Sequence, residues 1–430
     1  MNIGPYQNET PPQRVTLANG TVILTVPVAS AHSVSLGAWL RRGSQDEPAG
    51  LGGLAHFLEH MVFKGSRRRS AFDLARLFDS VGASVDAFTT KDHVAFTAKV
   101  LPEYFATTAE ALADMILDPA FDPDLVALEQ DVVVEEIQEV LDTPEDLLHD
   151  AFTARLYGGH PRGRPILGTP ASVRGLDAGL LRREHADLFC GANLVVAVAG
   201  NVRPGMTDGL CACFEPAGAA PPRPRAPAAV SDDEVGILFD GAEVRDGRLV
   251  IDSPVQQCYF EIGNQAVSYL HPDRVPLAML SNILGGGLSS RIFQAVRERE
   301  GLAYSVFTYT DLGRDIGLVS CSGSCSPSKL SRLEAVVRGE YRAFLSDGVG
   351  EDELADTRAQ IKSQLIFSLE GGSNQMGRAA KDEIFYGRFI PTSELVGEID
   401  AVGRDDIMRC ARTYFDPDRL LTAVHGPAAA

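Results

Sequence analysis

The sequence lacks any apolar run of the roughly 20 residues that a membrane-spanning helix needs, so a membrane protein is not expected. Basic residues are also in short supply: 39 Lys and Arg stand against 58 Asp and Glu, which gives a formal net charge of -19. Because nucleic-acid binding depends on clustered positive charge, nucleic acid is excluded as a main partner. The remaining composition, 45% hydrophobic and 23% charged, is typical of a folded globular protein.

Cysteines are few and irregularly spaced. The seven cysteines form an odd number, and no close pair is matched by a second pair at zinc-site spacing. Reduced, inert thiols are therefore expected, which favours a reducing compartment. The first ten residues, MNIGPYQNET, contain neither the basic region nor the apolar region of a secretory signal. These absences together predict a cytoplasmic protein.

The length of 430 residues exceeds what one hydrophobic core ordinarily supports, so two domains are expected. The segment 215–235 is rich in proline and alanine and becomes acidic toward its end, a composition that buries no core. It predicts an exposed linker between an N-terminal domain at 1–214 and a C-terminal domain at 236–430.

The two predicted domains share one order of elements. In the first, hydrophobic periodicity predicts a strand, two helices, two strands and a helix, at 33–40, 51–63, 71–81, 83–89, 93–100 and 102–117. The second repeats this order at 258–263, 273–284, 289–299, 303–309, 316–322 and 327–346. The repetition predicts an internal duplication of the α+β class, each unit a mainly antiparallel sheet with helices packed on one face.

The pentapeptide HFLEH at 56–60 places two histidines four residues apart within a helical pattern. On a helix His56 and His60 are about 40° apart around the axis and about 6 Å apart along it, so both imidazoles can reach one zinc ion. Glu59 lies on the same face, where its carboxylate can take a proton from a water that zinc acidifies. Two partly buried histidines on an ordinary helix would give the same pattern.

A third ligand is expected on the amphipathic helix predicted at 124–141. Glu129 and Glu136 are seven residues apart and share one face, which Val132 and Val133 make apolar. A carboxylate on an apolar face is costly unless it is paired or binds a cation. This face therefore supplies candidate ligands, whereas the other two glutamates of the helix are expected to face solvent.

The motifs resemble those of the pitrilysin/insulinase family of zinc metallopeptidases, in particular mitochondrial processing peptidase and its bacterial homologues. The resemblance is carried by GLAHFLEHMVFKG at 53–65, which contains the inverted HxxEH zinc motif, and by EQDVVVEEI at 129–137. It spans nearly the whole chain and implies a bacterial protein of this kind.

The resemblance also implies roles for individual residues of the first half. His56, His60 and Glu136 would bind one Zn2+ ion per chain, because the family has its third ligand about 76 residues after the second histidine. Glu59 would be the catalytic base. Glu129 matches a further family glutamate that supports the site.

The second half matches the family as well. The glycine-rich segment GGGLSSR at 285–291 is followed by REREGLAYS at 297–305. Arg297 and Tyr304 fit the family's arginine and tyrosine seven residues apart. The resemblance implies that they donate hydrogen bonds to the substrate carbonyl and to the oxyanion, an interaction that contributes strongly to catalysis.

The strand predicted near 83–89 matches the family's substrate-binding edge. The resemblance implies that Asp86, Ala87 and Phe88 pair with an extended peptide by β-augmentation. Mitochondrial relatives have Asn at the position of Asp86. Because an ionised Asp accepts but does not donate hydrogen bonds, a bias toward basic residues nearby is expected.

These observations lead to the expectation of a zinc endopeptidase that hydrolyses peptides or unfolded, presequence-like segments in an enclosed chamber. One chain would form half of a clamshell, which implies a homodimer whose zinc sites are completed by Arg297 and Tyr304 of the partner. Two alternatives remain open. One is a non-catalytic structural or assembly subunit, as some family members are, and the other is a partner-dependent peptidase that matures one peptide precursor.

Overall fold

Two six-stranded sheets organise the chain in its computed structural model, which describes residues 9–220, 242–245 and 247–427. Each sheet belongs to one of two units into which the chain divides. Within these residues each sheet is antiparallel except for one parallel pair, and helices pack on the sheets. The predicted α+β class is therefore confirmed.

The strands of the first sheet are β1 (Gln13–Thr16), β2 (Val22–Pro27), β3 (Val34–Leu40), β4 (Ser84–Thr89), β5 (Val94–Val100) and β6 (Leu194–Gly200). Their order across the sheet is β1-β2-β6-β3-β5-β4. All seven residues of the central strand β6, LVVAVAG, are buried, as expected for a strand that is covered on both faces. β4 lies at one edge and pairs only with β5 among the described strands.

Some of the helices begin at residue types that favour helix N-termini. At three of them a Ser, Thr or Asp side chain, of Ser70, Thr169 and Asp177, accepts a hydrogen bond from the first turn. In chain order the helices of the described residues are α1 (Leu54–Val62), α2 (Ala71–Ser80), α3 (Phe105–Leu117), α4 (Pro123–Asp142), α5 (Pro144–Tyr157), α6 (Pro170–Arg174), α7 (Ala178–Leu188), α8 (Met206–Phe214), α9 (Arg274–Gly285), α10 (Arg291–Phe293, continued by a π-helical turn at Gln294–Arg299), α11 (Leu330–Asp347), α12 (Glu351–Phe367), α13 (Gly372–Phe385), α14 (Thr392–Ala401) and α15 (Arg404–Tyr414).

The second sheet repeats the topology of the first. Its strands are β7 (Ala242–Arg245), β8 (Arg248–Asp252), β9 (Cys258–Ala266), β10 (Ala303–Leu312), β11 (Gly317–Cys325) and β12 (Leu421–Gly426). Their order, β10-β11-β9-β12-β8-β7, matches β4-β5-β3-β6-β2-β1 strand for strand, and the parallel pairs β8–β12 and β2–β6 correspond. The predicted internal duplication is thus present in the fold.

Each unit takes one helix from the other half of the sequence. The first unit includes Phe367–Pro391, and its helix α13 packs on β6, β3 and β2, where Ala379 and Ala380 share a buried cluster with Trp39. The second unit includes Glu139–Gly163, and its helix α5 packs on β9, β12 and β8. The prediction of helices on one face was therefore incomplete, because the exchanged helix covers the opposite face.

The predicted linker at 215–235 stays a prediction, since 221–235 lie outside the described residues. The exchanged segments mean that the two units are not simply the contiguous halves 1–214 and 236–430. In the part of the chain that the structure describes, no helix combines the length and the apolar character needed to cross a membrane.

Candidate active site

Helix α1 carries the HxxEH motif, and a buried carboxylate fixes its first turn. Gly53, with φ of 87°, leads into the helix. Glu47 accepts hydrogen bonds from the amide N of Gly53 at 3.0 Å and of Ala55 at 2.7 Å. Burial raises the pKa of Glu47 to about 8, although both hydrogen bonds oppose that shift. Glu47 therefore holds the N-terminus of α1, the helix that carries the HxxEH motif.

The side chains of His56, His60 and Glu136 converge. The two imidazole centroids are 4.4 Å apart. One carboxylate oxygen of Glu136, on α4, lies 3.6 Å from His56 Nε2, and the other lies 3.6 Å from His60 Nε2. The ligand atoms of all three residues lie within 4.8 Å of one another.

The donor set fits a zinc ion. Tetrahedral zinc holds nitrogen and oxygen ligands at about 2.1 Å, which places neighbouring ligand atoms about 3.4 Å apart, close to the observed separations. Two neutral imidazoles and one carboxylate are also a donor set that catalytic zinc sites use. Within 9–220, 242–245 and 247–427, no other three His, Cys, Asp or Glu residues come as close together.

Glu129 supports one of the two histidines. Its Oε1 lies 2.8 Å from His60 Nδ1, and its Oε2 lies 2.5 Å from Lys64 Nζ. A carboxylate on Nδ1 fixes the imidazole orientation and leaves Nε2 facing the metal position. Lys64, in the turn that follows α1, offsets the charge of the buried Glu129.

The environment sets the protonation of these groups. Burial and the neighbouring His60 lower the pKa of His56 to about 3, so that ring is neutral near pH 7. Burial alone would lower the pKa of His60, but the hydrogen bond to Glu129 and the charge of Glu136 raise it. Burial would raise the pKa of Glu129, but its contacts with His60 and Lys64 hold it below the usual value. Ionised carboxylates and neutral imidazoles are the forms that bind a cation, so Glu129 and His56 are in the required forms, whereas His60 would have to release a proton to a bound cation.

Glu59 lies in the same turn of α1 as the two histidines. The hydroxyl of Thr89, at the end of β4, donates a hydrogen bond of 2.5 Å to Glu59 Oε2. Burial raises the pKa of the Glu59 carboxyl, and the bond from Thr89 opposes that shift. A base with a raised pKa is better matched to proton transfer near neutral pH.

The predicted substrate-binding residues lie on the edge strand β4. Asp86 and Phe88 are exposed, and Asp86 Oδ1 accepts a hydrogen bond from the amide N of Ala87 at 3.0 Å. The ring of Phe88 packs edge-on against His93 at 5.9 Å. Since β4 ends at Thr89, this edge and the carboxylate of Glu59 are directly linked.

Arg297 and Tyr304 contact each other in the second unit, whereas the three converging metal-ligand candidates belong to the first. The Arg297 guanidinium lies 4.7 Å from the ring centroid of Tyr304 and 4.9 Å from that of Phe293. Tyr304 is 82% exposed, so its hydroxyl is accessible. The stack holds a cation and a phenol side by side on the surface of the second unit.

Sequence reasoning missed three residues of the first unit: Thr89 and Glu47, which contact α1, and Lys64, which contacts Glu129. Thr89 is 30 residues from Glu59 in the sequence, and Glu47 is 6 residues from Gly53. Neither separation matches a spacing rule that would point to the contact. Lys64 gave no spacing signal either, because it lies in the turn after α1 and its contact is with Glu129 on another helix.

Two histidines one turn apart on a helix, an intervening glutamate and a carboxylate from a second helix match the HxxEH signature of the inverzincin class of metallopeptidases. The chain belongs to the insulinase family, peptidase family M16. Residues 22–170 match the family model described as Insulinase (Peptidase family M16), and residues 176–361 match the one described as Peptidase M16 inactive domain.

Relatives and solved structures agree with this assignment. The uncharacterized zinc protease YmxG of Bacillus subtilis is 32% identical over 412 residues, which cover 96% of this chain and 98% of the relative. An uncharacterized zinc protease of Mycobacterium tuberculosis H37Rv is 35% identical over 418 residues, covering 97% and 93%. A protease from Helicobacter pylori has a similar fold, with a TM-score of 0.86, 20% identity and coverage of 97% and 100%.

Proposed function

We propose that this protein is a zinc-dependent endopeptidase that binds one Zn2+ ion per chain through His56, His60 and Glu136. The observation that carries the proposal is the convergence of their ligand atoms within 4.8 Å, beside the carboxylate of Glu59. Two relatives named as zinc proteases, each matching more than nine-tenths of this chain, support the same metal.

Each residue has a defined task in this proposal. A bound zinc ion would polarise the scissile carbonyl and lower the pKa of a water molecule. Glu59 would take a proton from a water molecule at the site as the water oxygen bonds to the carbonyl carbon. Glu59 would then pass the proton to the amide nitrogen as the C–N bond breaks. Glu129 keeps the His60 ring oriented throughout.

The substrate is proposed to be an unfolded peptide or a presequence-like segment that enters an enclosed chamber. The edge strand at Asp86, Ala87 and Phe88 pairs only with β5 among the described strands, so an extended chain could pair along its other side once the amide N of Ala87 leaves Asp86 Oδ1. The exposed carboxylate of Asp86 favours a basic side chain at the neighbouring substrate position. The excess of 58 acidic over 39 basic residues is compatible with basic peptides.

A homodimer with shared active sites is the proposed assembly. Arg297 and Tyr304 of one chain would donate hydrogen bonds to the carbonyl oxygen and the oxyanion at the zinc site of the partner. Glu59→Gln and Tyr304→Phe, each inactive alone, should recover part of the activity when they are refolded together. Absence of recovery, with mixed dimers verified by mass spectrometry of differently tagged chains, would contradict shared sites.

One experiment separates the peptidase from a non-catalytic structural subunit. Zinc content is measured by mass spectrometry of the purified full chain, and cleavage is followed with a mixture of internally quenched fluorogenic peptides. Wild type should carry one zinc and cleave. Glu59→Gln should carry zinc and not cleave, because only the base is lost. Wild-type protein that binds no zinc, or that binds zinc and cleaves nothing, would favour the structural subunit.

A further inference from the structure

We propose that Thr89 is a positioning residue that couples the edge strand β4 to the catalytic base Glu59. The inference rests on the proposed peptidase function and adds a residue to its machinery. It starts from one contact, the 2.5 Å hydrogen bond from the Thr89 hydroxyl to Glu59 Oε2.

The bond selects one orientation of the Glu59 carboxylate. A glutamate side chain has three rotatable bonds before its carboxylate, so it adopts many orientations unless something holds it. With Oε2 held by Thr89, rotation of the carboxylate is restricted, and Oε1 would be the oxygen that remains for proton transfer. A hydroxyl donor to an ionised acceptor forms a short, strong bond, which suits this task.

Thr89 is itself well fixed. Threonine is branched at Cβ, which limits the rotation of its side chain in a strand. Its backbone pairs with the buried Val94 of β5, so the hydroxyl is placed by the sheet and not by a mobile loop. The base is therefore supported from a second element as well as from α1.

The position of Thr89 also connects binding with chemistry. Thr89 is the last residue of the strand whose edge contains Asp86, Ala87 and Phe88. A peptide that pairs with this edge would hold β4 in place, and Thr89 would carry that constraint to Glu59. Misplacement of a reacting group by about 1 Å can cost about 100-fold in rate, so the effect on kcat is expected to be large.

Isosteric and conservative variants test the proposal in the zinc-loaded full chain. Thr89→Val keeps the shape and the strand preference but removes the hydroxyl, and Thr89→Ser keeps the hydroxyl. The matched control is Thr310→Val, a half-buried threonine on β10, the counterpart of β4 in the second sheet. The readouts are kcat and KM on one fluorogenic peptide, zinc affinity by chelator competition, and crystal structures of the zinc-loaded proteins.

Thr89→Val is expected to lower kcat by about 10-fold to 100-fold, while KM and zinc affinity stay within about twofold. Thr89→Ser should recover most of the loss, and Thr310→Val should match wild type. In the crystal structure of Thr89→Val, the Glu59 carboxylate should leave its wild-type position while the three zinc ligands stay within about 0.5 Å.

Three results would overturn the proposal: a kcat for Thr89→Val within twofold of wild type, a serine variant no better than the valine variant, or an unmoved Glu59 carboxylate. A loss of zinc affinity that accounts for the lost activity would also overturn it, because Thr89 would then act on the metal site as a whole. If wild type binds zinc but cleaves nothing, the peptidase proposal fails, and the crystal structures alone decide whether Thr89 holds Glu59.

Discussion

Glu129 and His60 belong to different helices, and their side chains meet at 2.8 Å between Oε1 and Nδ1. The contact ties α4 to α1 at the ring nitrogen that faces away from Glu136. Glu129 thus supports the candidate metal centre through His60 and is not one of the three proposed ligands. Its other oxygen, Oε2, lies 2.5 Å from Lys64 Nζ.

Replacing this support is expected to weaken metal binding without abolishing it. Glu129→Gln keeps the shape but loses the charge that orients His60, so zinc affinity should fall about 10-fold to 100-fold. Chelator competition measures the change. Glu135→Gln, an exposed position on the same helix, is the control and should bind zinc like wild type. Equal affinities for the two variants would remove Glu129 from the site.

The approach to α1 depends on glycine. Gly53 has φ of 87°, and a Cβ there would lie 2.4 Å from the carbonyl O of Leu167. Gly53→Ala should therefore cost more stability than the roughly 1–2 kcal/mol of a left-handed alanine alone. Gly50→Ala is the matched control, since Gly50 has φ of 78° with no atom within 4 Å of a Cβ. In urea, the free energy of unfolding should be lower for Gly53→Ala than for Gly50→Ala. The reverse order would exclude the predicted clash.

Acid is expected to destabilise the first unit through His185. Burial lowers the pKa of His185 to about 4, although its hydrogen bond to the carbonyl O of Ile116 opposes the shift. Between about pH 6.5 and 4 the unfolded chain binds a proton here and the folded chain does not, so stability falls as pH falls through this range.

His185→Gln removes this titration, so its unfolding free energy should change less between pH 7.5 and 5 than that of wild type. Phe189→Leu is the control, because it disturbs the same ring stack, with centroids 4.2 Å apart, but keeps the histidine. Urea unfolding at both pH values measures the difference. If the unfolding free energy of His185→Gln changes with pH as much as that of wild type, the acid sensitivity belongs to other groups.

The exchanged helix α13 is held to its sheet by a buried carboxylate. Glu383 accepts hydrogen bonds from Arg14 at 3.0 Å and from Arg41 at 3.0 Å. Glu383→Gln leaves both arginines without their anion, which should cost about 2 kcal/mol, less than the roughly 3–5 kcal/mol of a fully buried pair because both arginines are partly exposed. Glu370→Gln, an exposed control, should unfold like wild type in guanidinium chloride.

Much of this fold follows from periodicity in the sequence. The helix predicted at 71–81 is observed at Ala71–Ser80, and the strand predicted near 93–100 is observed at Val94–Val100. Such segments are predictable because one face is buried and one is exposed, which leaves a period in the residue types. The exchange of α5 and α13 left no such signal, since a helix pattern does not specify which sheet it covers.

The candidate site shows the same division. HxxEH spacing placed His56, Glu59 and His60 together because all three are on one helix. Thr89 was missed because its contact depends on how β4 passes α1, which is a tertiary property. Val132 was expected on an apolar face but is 46% exposed, whereas Val133 is fully buried. Two neighbouring residues of one helix can thus differ in burial, because tertiary packing covers one of them and not the other.

The exchange of α13 also bears on the order in which the protein can be completed during synthesis. The first sheet is finished when the ribosome has passed Gly200, but the helix that covers the face of Trp39 spans Gly372–Phe385. That apolar face must stay without its native cover while more than a hundred further residues are added. The unit that holds the candidate metal site is therefore completed only after the segment Phe367–Pro391 has been made.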